Sequence, residues 1–220
     1  MKKISIAIDG PAAAGKSTIA KRVASILHYT YIDTGAMYRT IALYAIKHHI
    51  DLNDEVAISN SLSDIELNMN PDGQVLLNGE DVTDEIRENE VSMGASIVSA
   101  YKAVREFLVD KQRQMAKDGG VILDGRDIGT VVLKDAELKI YQVANVECRA
   151  LRRHKENIEK GISSDLERIK EEIAQRDHQD MTRKISPLKK ADDAIEVDTS
   201  DMTLDEVVSR VMELVEEKIR

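Results

Sequence analysis

Ile4-Ser5-Ile6-Ala7-Ile8-Asp9-Gly10-Pro11-Ala12-Ala13-Ala14-Gly15-Lys16-Ser17-Thr18 is the stretch that decides the fold. Its first five residues are rich in β-branched side chains and stop at Asp9-Gly10-Pro11. From Lys16 the apolar period becomes helical, with Ile19, Val23 and Ile26-Leu27 on one face, so the segment reads as strand, loop, helix. Gly10 to Ser17 matches Gly-x4-Gly-Lys-Ser/Thr, and the strand-to-helix setting is the context that gives this pattern its meaning. Small residues let backbone N–H groups wrap a β-phosphate at a helix N-terminus. Lys16 is placed to bridge β- and γ-phosphates and Ser17 to offer its hydroxyl to Mg²⁺. A nucleoside triphosphate is the implied ligand.

Outward from this loop the same alternation repeats. Tyr29 to Asp33 is short and extended, and a helical pattern follows at Met37, Ile41, Tyr44-Ala45 and His48. Val121 to Asp124 and Leu138 to Val143 each precede a polar turn and a helix-like stretch, and Ala194 to Val197 precedes the last helix. Five short strands alternating with helices predict a parallel sheet covered on both faces. The last helix carries a capping box in Thr203 and Glu206 and an apolar stripe of Val207, Val208, Val211, Leu214 and Val215.

One segment breaks the pattern. Ile65, Leu67 and Met69 alternate with polar residues, Asn70-Pro71-Asp72-Gly73 reads as a turn, Val75 to Leu77 is extended, and Asn78-Gly79 is a hairpin signal. Residues 61–86 are therefore expected to form a small antiparallel excursion. A single long helix is expected over about 89–117, ended by Gly119-Gly120, with Ser96 and Arg105 on roughly one side of it. The charged region from Glu147 to Lys190 reads as two helices with a sparse apolar face, suited to a mobile flap.

Composition narrows the function classes. The 220 residues carry 31 Lys+Arg against 40 Asp+Glu, a formal net charge of −9, which argues against a surface built for nucleic acid. One Phe, six Tyr and no Trp leave few platforms for stacking bases. The lone Cys148 excludes a disulfide framework or cysteine-based zinc site. No run approaches the roughly 20 apolar residues of a membrane span, and the N-terminal apolar stretch is too short for a signal peptide. A cytoplasmic monomer is the expectation.

The fate of the γ-phosphoryl is read from what else the chain carries. Asp-x-x-Gly and Asn-Lys-x-Asp elements are absent, which argues against a GTP switch. Asp33-Thr34-Gly35-Ala36-Met37-Tyr38-Arg39 follows the second strand and Asp124-Gly125-Arg126-Asp127 the third, both at carboxyl ends of parallel strands, where open α/β sheets bind ligands. Arginines there suit a second anionic substrate. Asp124 is a candidate to hold Mg²⁺ directly or through water. Arg176, Asp180 and Arg183 stand at i, i+4 and i+7, on one helix face.

The set IDGPAAAGKST, YIDTGAMYR, LDGRDIGTVV and RDHQDMTR resembles bacterial cytidylate kinases, which are P-loop nucleoside monophosphate kinases, and the resemblance spans essentially the whole chain. It implies transfer of the γ-phosphoryl of ATP to CMP or dCMP, with Mg²⁺. It also implies a three-layer fold made of core segments 1–60, 87–148 and 185–220, a monophosphate-binding insertion at 61–86 and a helical lid at 149–184. By the same resemblance Gly10, Pro11, Ala12, Ala13, Ala14, Gly15, Lys16, Ser17 and Thr18 hold ATP, with Ser17 and Asp124 at the metal. Arg39, Arg126 and Arg176 meet phosphates, Lys16, Arg126 and Arg176 being catalytic. Thr34, Ser96, Arg105, Asp127, Asp180 and Arg183 surround the CMP sugar and base, and Tyr38 is a further substrate-binding residue. Arg149, Arg152 and Arg153 open the flap and are candidates to close on ATP, Arg153 foremost. Thr34 stands where many relatives have Ser, and alanines fill positions 12–14 where Gly or Ser is frequent; both changes keep the hydroxyl or the small size. The alternatives are a P-loop kinase for another small acceptor and a nucleotide-binding regulator without activity.

Overall fold

Ile4, Ile6 and Ile8 are fully buried on one face of the first strand and Ala7 and Asp9 are buried on the other, as a strand covered on both faces requires. In the computed structural model, which describes residues 3–70, 73–159 and 161–219, they belong to or flank β1 (Ser5–Asp9), followed by α1 (Lys16–Leu27), β2 (Thr30–Asp33) and α2 (Thr34–Lys47). The chain continues through α3 (Glu55–Ser61), β3 (Leu67–Met69), β4 (Val75–Leu77), β5 (Glu80–Asp81), α4 (Asn89–Val98) and α5 (Lys102–Ala116). Its remaining elements are β6 (Val121–Gly125), β7 (Leu138–Val143), α6 (Val146–Glu159), α7 (Leu166–Thr182), β8 (Ile195–Asp198) and α8 (Leu204–Ile219).

The main sheet has five strands in the order β2-β6-β1-β7-β8. β1 runs parallel to both neighbours, with Ile6 opposite Ile122 and Leu138, and β7 runs parallel to β8 with Ile140 opposite Ile195. The first polar turn after β1 is thereby set at the carboxyl edge beside Gly125 and Tyr141. The expected capping box of α8 forms in both directions: Glu206 N–H donates to Thr203 Oγ1 at 3.3 Å, and Thr203 N–H donates to Glu206 Oε2 at 2.7 Å. The described residues of 1–29 and 120–220 make one compact unit and those of 30–119 another. The expected insertion 61–86 lies inside the second and the expected lid 149–184 inside the first. No helix among the described residues is long and apolar enough to cross a membrane.

The antiparallel excursion is a three-stranded sheet, β3-β4-β5. Asn78 and Gly79 both take positive φ, 50° and 84°, which a two-residue hairpin turn of matching twist demands. Gly73 N–H donates to the Asn70 carbonyl at 2.9 Å, closing the expected turn, whose Pro71 and Asp72 lie outside the described residues. Leu67, Val75 and Leu77 are buried on one face, with Val82 and Ile86 following.

One sequence expectation needs correction. The long helix of 89–117 is two helices, because Tyr101 turns extended (φ −82°, ψ 131°) and starts α5 afresh. Side chains replace the lost backbone bonds at this break: Ser99 Oγ donates to Ser96 O at 2.9 Å and Arg105 Nη1 to Ser99 O at 3.1 Å. Ser96 and Arg105 therefore do not share a helix. Arg183 is the C-cap of α7: its N–H still donates to the Gln179 carbonyl at 3.1 Å and its guanidinium lies 3.7 Å from Asp180, so it keeps the side that carries Arg176 and Asp180 while its ψ of 144° turns the following chain away. A short helix over Glu55–Ser61, α3, was passed over in the sequence, although Asp54 is its N-cap, the side chain accepting from Ala57 N–H, and Glu55 stands in its first turn.

Candidate active site

The phosphate loop is held by its own backbone geometry and by β7. A Cβ at Gly10 would sit 2.0 Å from the Gln142 carbonyl oxygen, so only glycine allows β1 to turn out of the sheet there. Gln142 is buried, and its Nε2 donates to the Ala14 carbonyl. Ala13 takes a left-handed φ of 56°. The amides of Lys16, Ser17 and Thr18 precede the first helical bond, from Ile19 N–H to Gly15 O at 3.2 Å, and so belong to the free donors of a helix N-terminus.

Lys16 is 5% exposed and its Nζ donates to the Gly10 and Pro11 carbonyls at 2.8 and 2.7 Å. Burial, then the charge of Arg126, push its pKa down to about 7, against the opposing pull of Asp124, Asp9 and Asp180. Ser17 Oγ donates to Asp124 Oδ2 at 2.9 Å, joining the first turn of α1 to the end of β6. Asp9, at the end of β1, accepts from the amides of Ile128 and Gly129, both at 2.8 Å. Burial raises its pKa to about 6 in spite of those two bonds.

Past β6 the same unit gathers charge. Arg126 Nε donates to Asp180 Oδ2 at 2.8 Å, and Arg183 lies 3.7 Å from both Asp127 Oδ1 and Asp180 Oδ1. Burial alone would raise the Asp180 pKa, yet Arg126, Arg183 and Arg176 together hold it below the usual carboxylate value. Burial likewise opposes the charge on Arg126, and Asp180, Asp124 and Asp177 more than restore it. Arg126, Arg183 and Arg176 thus gather around Asp180, Arg126 acting on Lys16 as well, with Asp124, Asp127 and Asp177 as further counter-charges. Guanidinium groups fixed in this way, able to trade carboxylate partners for phosphate oxygens, suit a transferring phosphoryl group.

Within the unit of 30–119, Asp33 caps α2 by accepting from Ala36 N–H at 2.8 Å, and its other oxygen accepts from Arg39 Nη2 at 3.0 Å. Thr34 is buried in the same first turn. Arg105 is buried, bonded to the Ser99 carbonyl, with its guanidinium carbon 5.4 Å from the Tyr38 ring centroid. Tyr38, Arg105 and the Ser96–Ser99 turn are therefore neighbours, while Arg39 is held against Asp33 at the start of α2.

Of the flap arginines, Arg149 is buried and donates to the Ala12 carbonyl at 2.8 Å, while Arg152 donates to the Thr199 carbonyl at 2.6 Å. Arg153 is half-buried on α6. Sequence reasoning passed over four residues of this site: Asp9, Gln142, Arg149 as a partner of the loop, and Asp177, whose Oδ1 accepts from Ala12 N–H at 3.0 Å. The one local signal was the buried-strand position of Asp9 and Gln142, polar residues ending or interrupting apolar runs.

The family model described as Cytidylate kinase matches residues 6–217. A curated relative named Cytidylate kinase from Anoxybacillus flavithermus is 55% identical over 99% of this chain and 98% of its own. One of the same name from Bacillus velezensis is 55% identical over 100% of this chain and 99% of its own, and one from Listeria innocua 54% identical over 100% and 99%. Among solved structures, a shikimate kinase from Bacteroides thetaiotaomicron superposes with a TM-score of 0.50 at 13% identity, covering 98% of this chain and 99% of that one. A likeness at that identity speaks for the fold alone.

Proposed function

This chain belongs to the cytidylate kinase family and accordingly transfers the γ-phosphoryl of ATP to CMP or dCMP; we propose that the phosphate loop and the arginine cluster beside it carry that transfer. The observation that carries the assignment is the Ser17 hydroxyl set 2.9 Å from Asp124 at the foot of a loop holding a buried lysine. The transition state of phosphoryl transfer is loose, so the protein's work is to align donor and acceptor and to neutralise charge, with no covalent intermediate. Lys16 exchanges the Gly10 and Pro11 carbonyls for phosphate oxygens and gains a proton as it does so. Arg126 and Arg176 balance charge on the moving group.

Ser17 and Asp124 fit Mg²⁺: both offer hard oxygen, and this cation is held by one or two protein oxygens plus substrate phosphates rather than by a protein cage. When bound, Mg²⁺ would supply neutralising charge to the triphosphate. Gly10 to Thr18 take ATP, with Arg153 as a further contact. For the acceptor nucleotide, Thr34, Tyr38, Arg39, Ser96 and Arg105 serve in their unit, and Asp127, Asp180 and Arg183 in theirs. The segment 61–86 enlarges the monophosphate-binding part, and 149–184 acts as a lid that excludes water, which would otherwise hydrolyse ATP. A monomer in the cytoplasm, binding nucleotides and no nucleic acid polymer, completes the reading; the net charge of −9 supports its last clause.

ADP release with ATP and Mg²⁺ tests the proposal. It is expected to be slow without acceptor, fast with CMP or dCMP, and slower with UMP, because uracil presents an N–H where cytosine N3 accepts from an arginine. Lys16→Met is expected to lower kcat by at least about 10² while the protein stays folded. Near-normal turnover in that variant refutes the loop's role, and rapid release with an acceptor other than CMP or dCMP redirects the substrate assignment.

A further inference from the structure

In the phosphate loop, both backbone polar groups of Ala12 are taken by a buried ion pair. Arg149, in the first turn of α6, donates through Nε to the Ala144 carbonyl and through Nη1 to the Ala12 carbonyl, each at 2.8 Å. The same guanidinium pairs with Asp177 of α7 at 2.6 Å, and Asp177 Oδ1 accepts the Ala12 N–H at 3.0 Å. Both side chains are buried.

The geometry of a trans peptide turns this clamp into a statement about the neighbouring amide. In the planar unit joining Ala12 to Ala13, C=O and N–H point in opposite directions. Drawing the Ala12 carbonyl toward Arg149 therefore turns the Ala13 N–H the other way. Ala13 is also left-handed at φ 56°, a conformation that an alanine keeps only when its surroundings impose it. Its methyl group packs against Ala150, Ile169 and Ile173, the apolar cluster between α6 and α7. Flipping the peptide would release the strain, and it is the guanidinium on the Ala12 carbonyl that opposes the flip.

We propose that Arg149 and Asp177 are positioning residues for ATP: Arg149 fixes the Ala12–Ala13 peptide so that the Ala13 amide faces the triphosphate, Asp177 holds Arg149 and the preceding amide in place, and neither touches a substrate. An apolar pair of the same volume would stabilise the roots of α6 and α7 at least as well, but it would offer nothing to Ala12's two polar groups. The proposal rests on the reading that the loop binds ATP.

Steady-state KM for ATP and for CMP, with Tm, in wild type, Arg149→Met and Arg149→Lys decides it. Arg149→Met is expected to raise KM for ATP about tenfold or more while KM for CMP stays within twofold. Arg149→Lys is expected to fall between, at threefold or more for ATP, because an ammonium cannot span the acceptors that a fork of donors reaches. If Arg149→Met does not fold, the Lys variant is judged on the same ratio. Equal changes in the two KM values, or none, whatever happens to Tm, overturn the proposal, since a role in packing alone moves Tm without favouring one substrate. Lys16→Met separates the two levels of argument: normal turnover there removes the premise, whereas its inactivity beside unchanged Arg149 variants removes only the clamp.

Discussion

Replacing Asp180 by Asn removes one charge while leaving an oxygen for Arg126 Nε, so it isolates the electrostatics of the cluster. Asp180 is the carboxylate that Arg126 meets at 2.8 Å and Arg183 at 3.7 Å, and Arg176 acts on it as well. Breaking a fully buried ion pair costs about 3–5 kcal/mol. The side chains here are 11% and 22% exposed, and the amide keeps one hydrogen bond, which brings the expectation to about 2–3 kcal/mol. For a chain of this length that is a fall in Tm of about 4–12 °C. The loss is expected to depend on the solvent anion. Without Asp180 the arginines keep Asp124, Asp127 and Asp177 nearby but lose the counter-charge they share, so sulfate or phosphate at about a hundredfold over its dissociation constant is expected to restore about 2.7 kcal/mol, close to the whole deficit. It also has a pH window. Asp180 has a depressed pKa in the folded state, so its stabilisation is present above the unfolded carboxylate value and disappears as pH falls through the folded one. The gap between wild type and variant is expected to be steady at neutral pH and to close under acid. The measurement is thermal melting in sulfate against chloride of equal ionic strength, from pH 3 to 8. An unchanged Tm in chloride, or a drop that sulfate fails to repair, refutes the reading of this cluster as an anion site.

Binding of ATP at pH 8 is expected to take up a proton. With a pKa of about 7 in the free protein Lys16 is mostly neutral there, and phosphate restores its charge, so uptake approaches about 0.9 proton per site. Asp9, at about 6, is ionised throughout and adds little. Calorimetry in buffers of different ionisation enthalpy reads the number directly, and a heat independent of buffer contradicts the lysine's assigned state. Gly10→Ala is expected to cost about 3 kcal/mol or more, at the upper end of overpacking, because its Cβ would meet the Gln142 carbonyl at 2.0 Å and backbone on both strands must yield. A native Tm with an unchanged KM for ATP would show that β1 and β7 tolerate a wider spacing.

What the sequence determined by itself is whatever its chemistry writes locally. Strand, loop and helix from Ile4 to Leu27 are contiguous, the turn at Asn78-Gly79 needs two adjacent residues, and the capping box of α8 needs four; each was legible because all its partners lie within one short window. The alternation of strands and helices then fixed the α/β class, since parallel strands cannot be joined without crossovers. The break between α4 and α5 escaped because no Gly or Pro marks it: Ser99 and Arg105 satisfy the interrupted backbone with side chains that are equally at home inside a helix. Asp9 and its amides are separated by 119 and 120 residues, Arg149 and the Ala12 carbonyl by 137, and Asp177 and the Ala12 amide by 165. For a charged residue in an Arg- and Glu-rich helix, solvent is the default partner, and the spacing of residues along that helix carries no record of what lies opposite it. Only the closure of the chain, which brings β1, β6, α6 and α7 to one edge of the sheet, removes water from those side chains. Once buried they must find backbone groups or opposite charges, and it is that requirement that gives them their places around the loop.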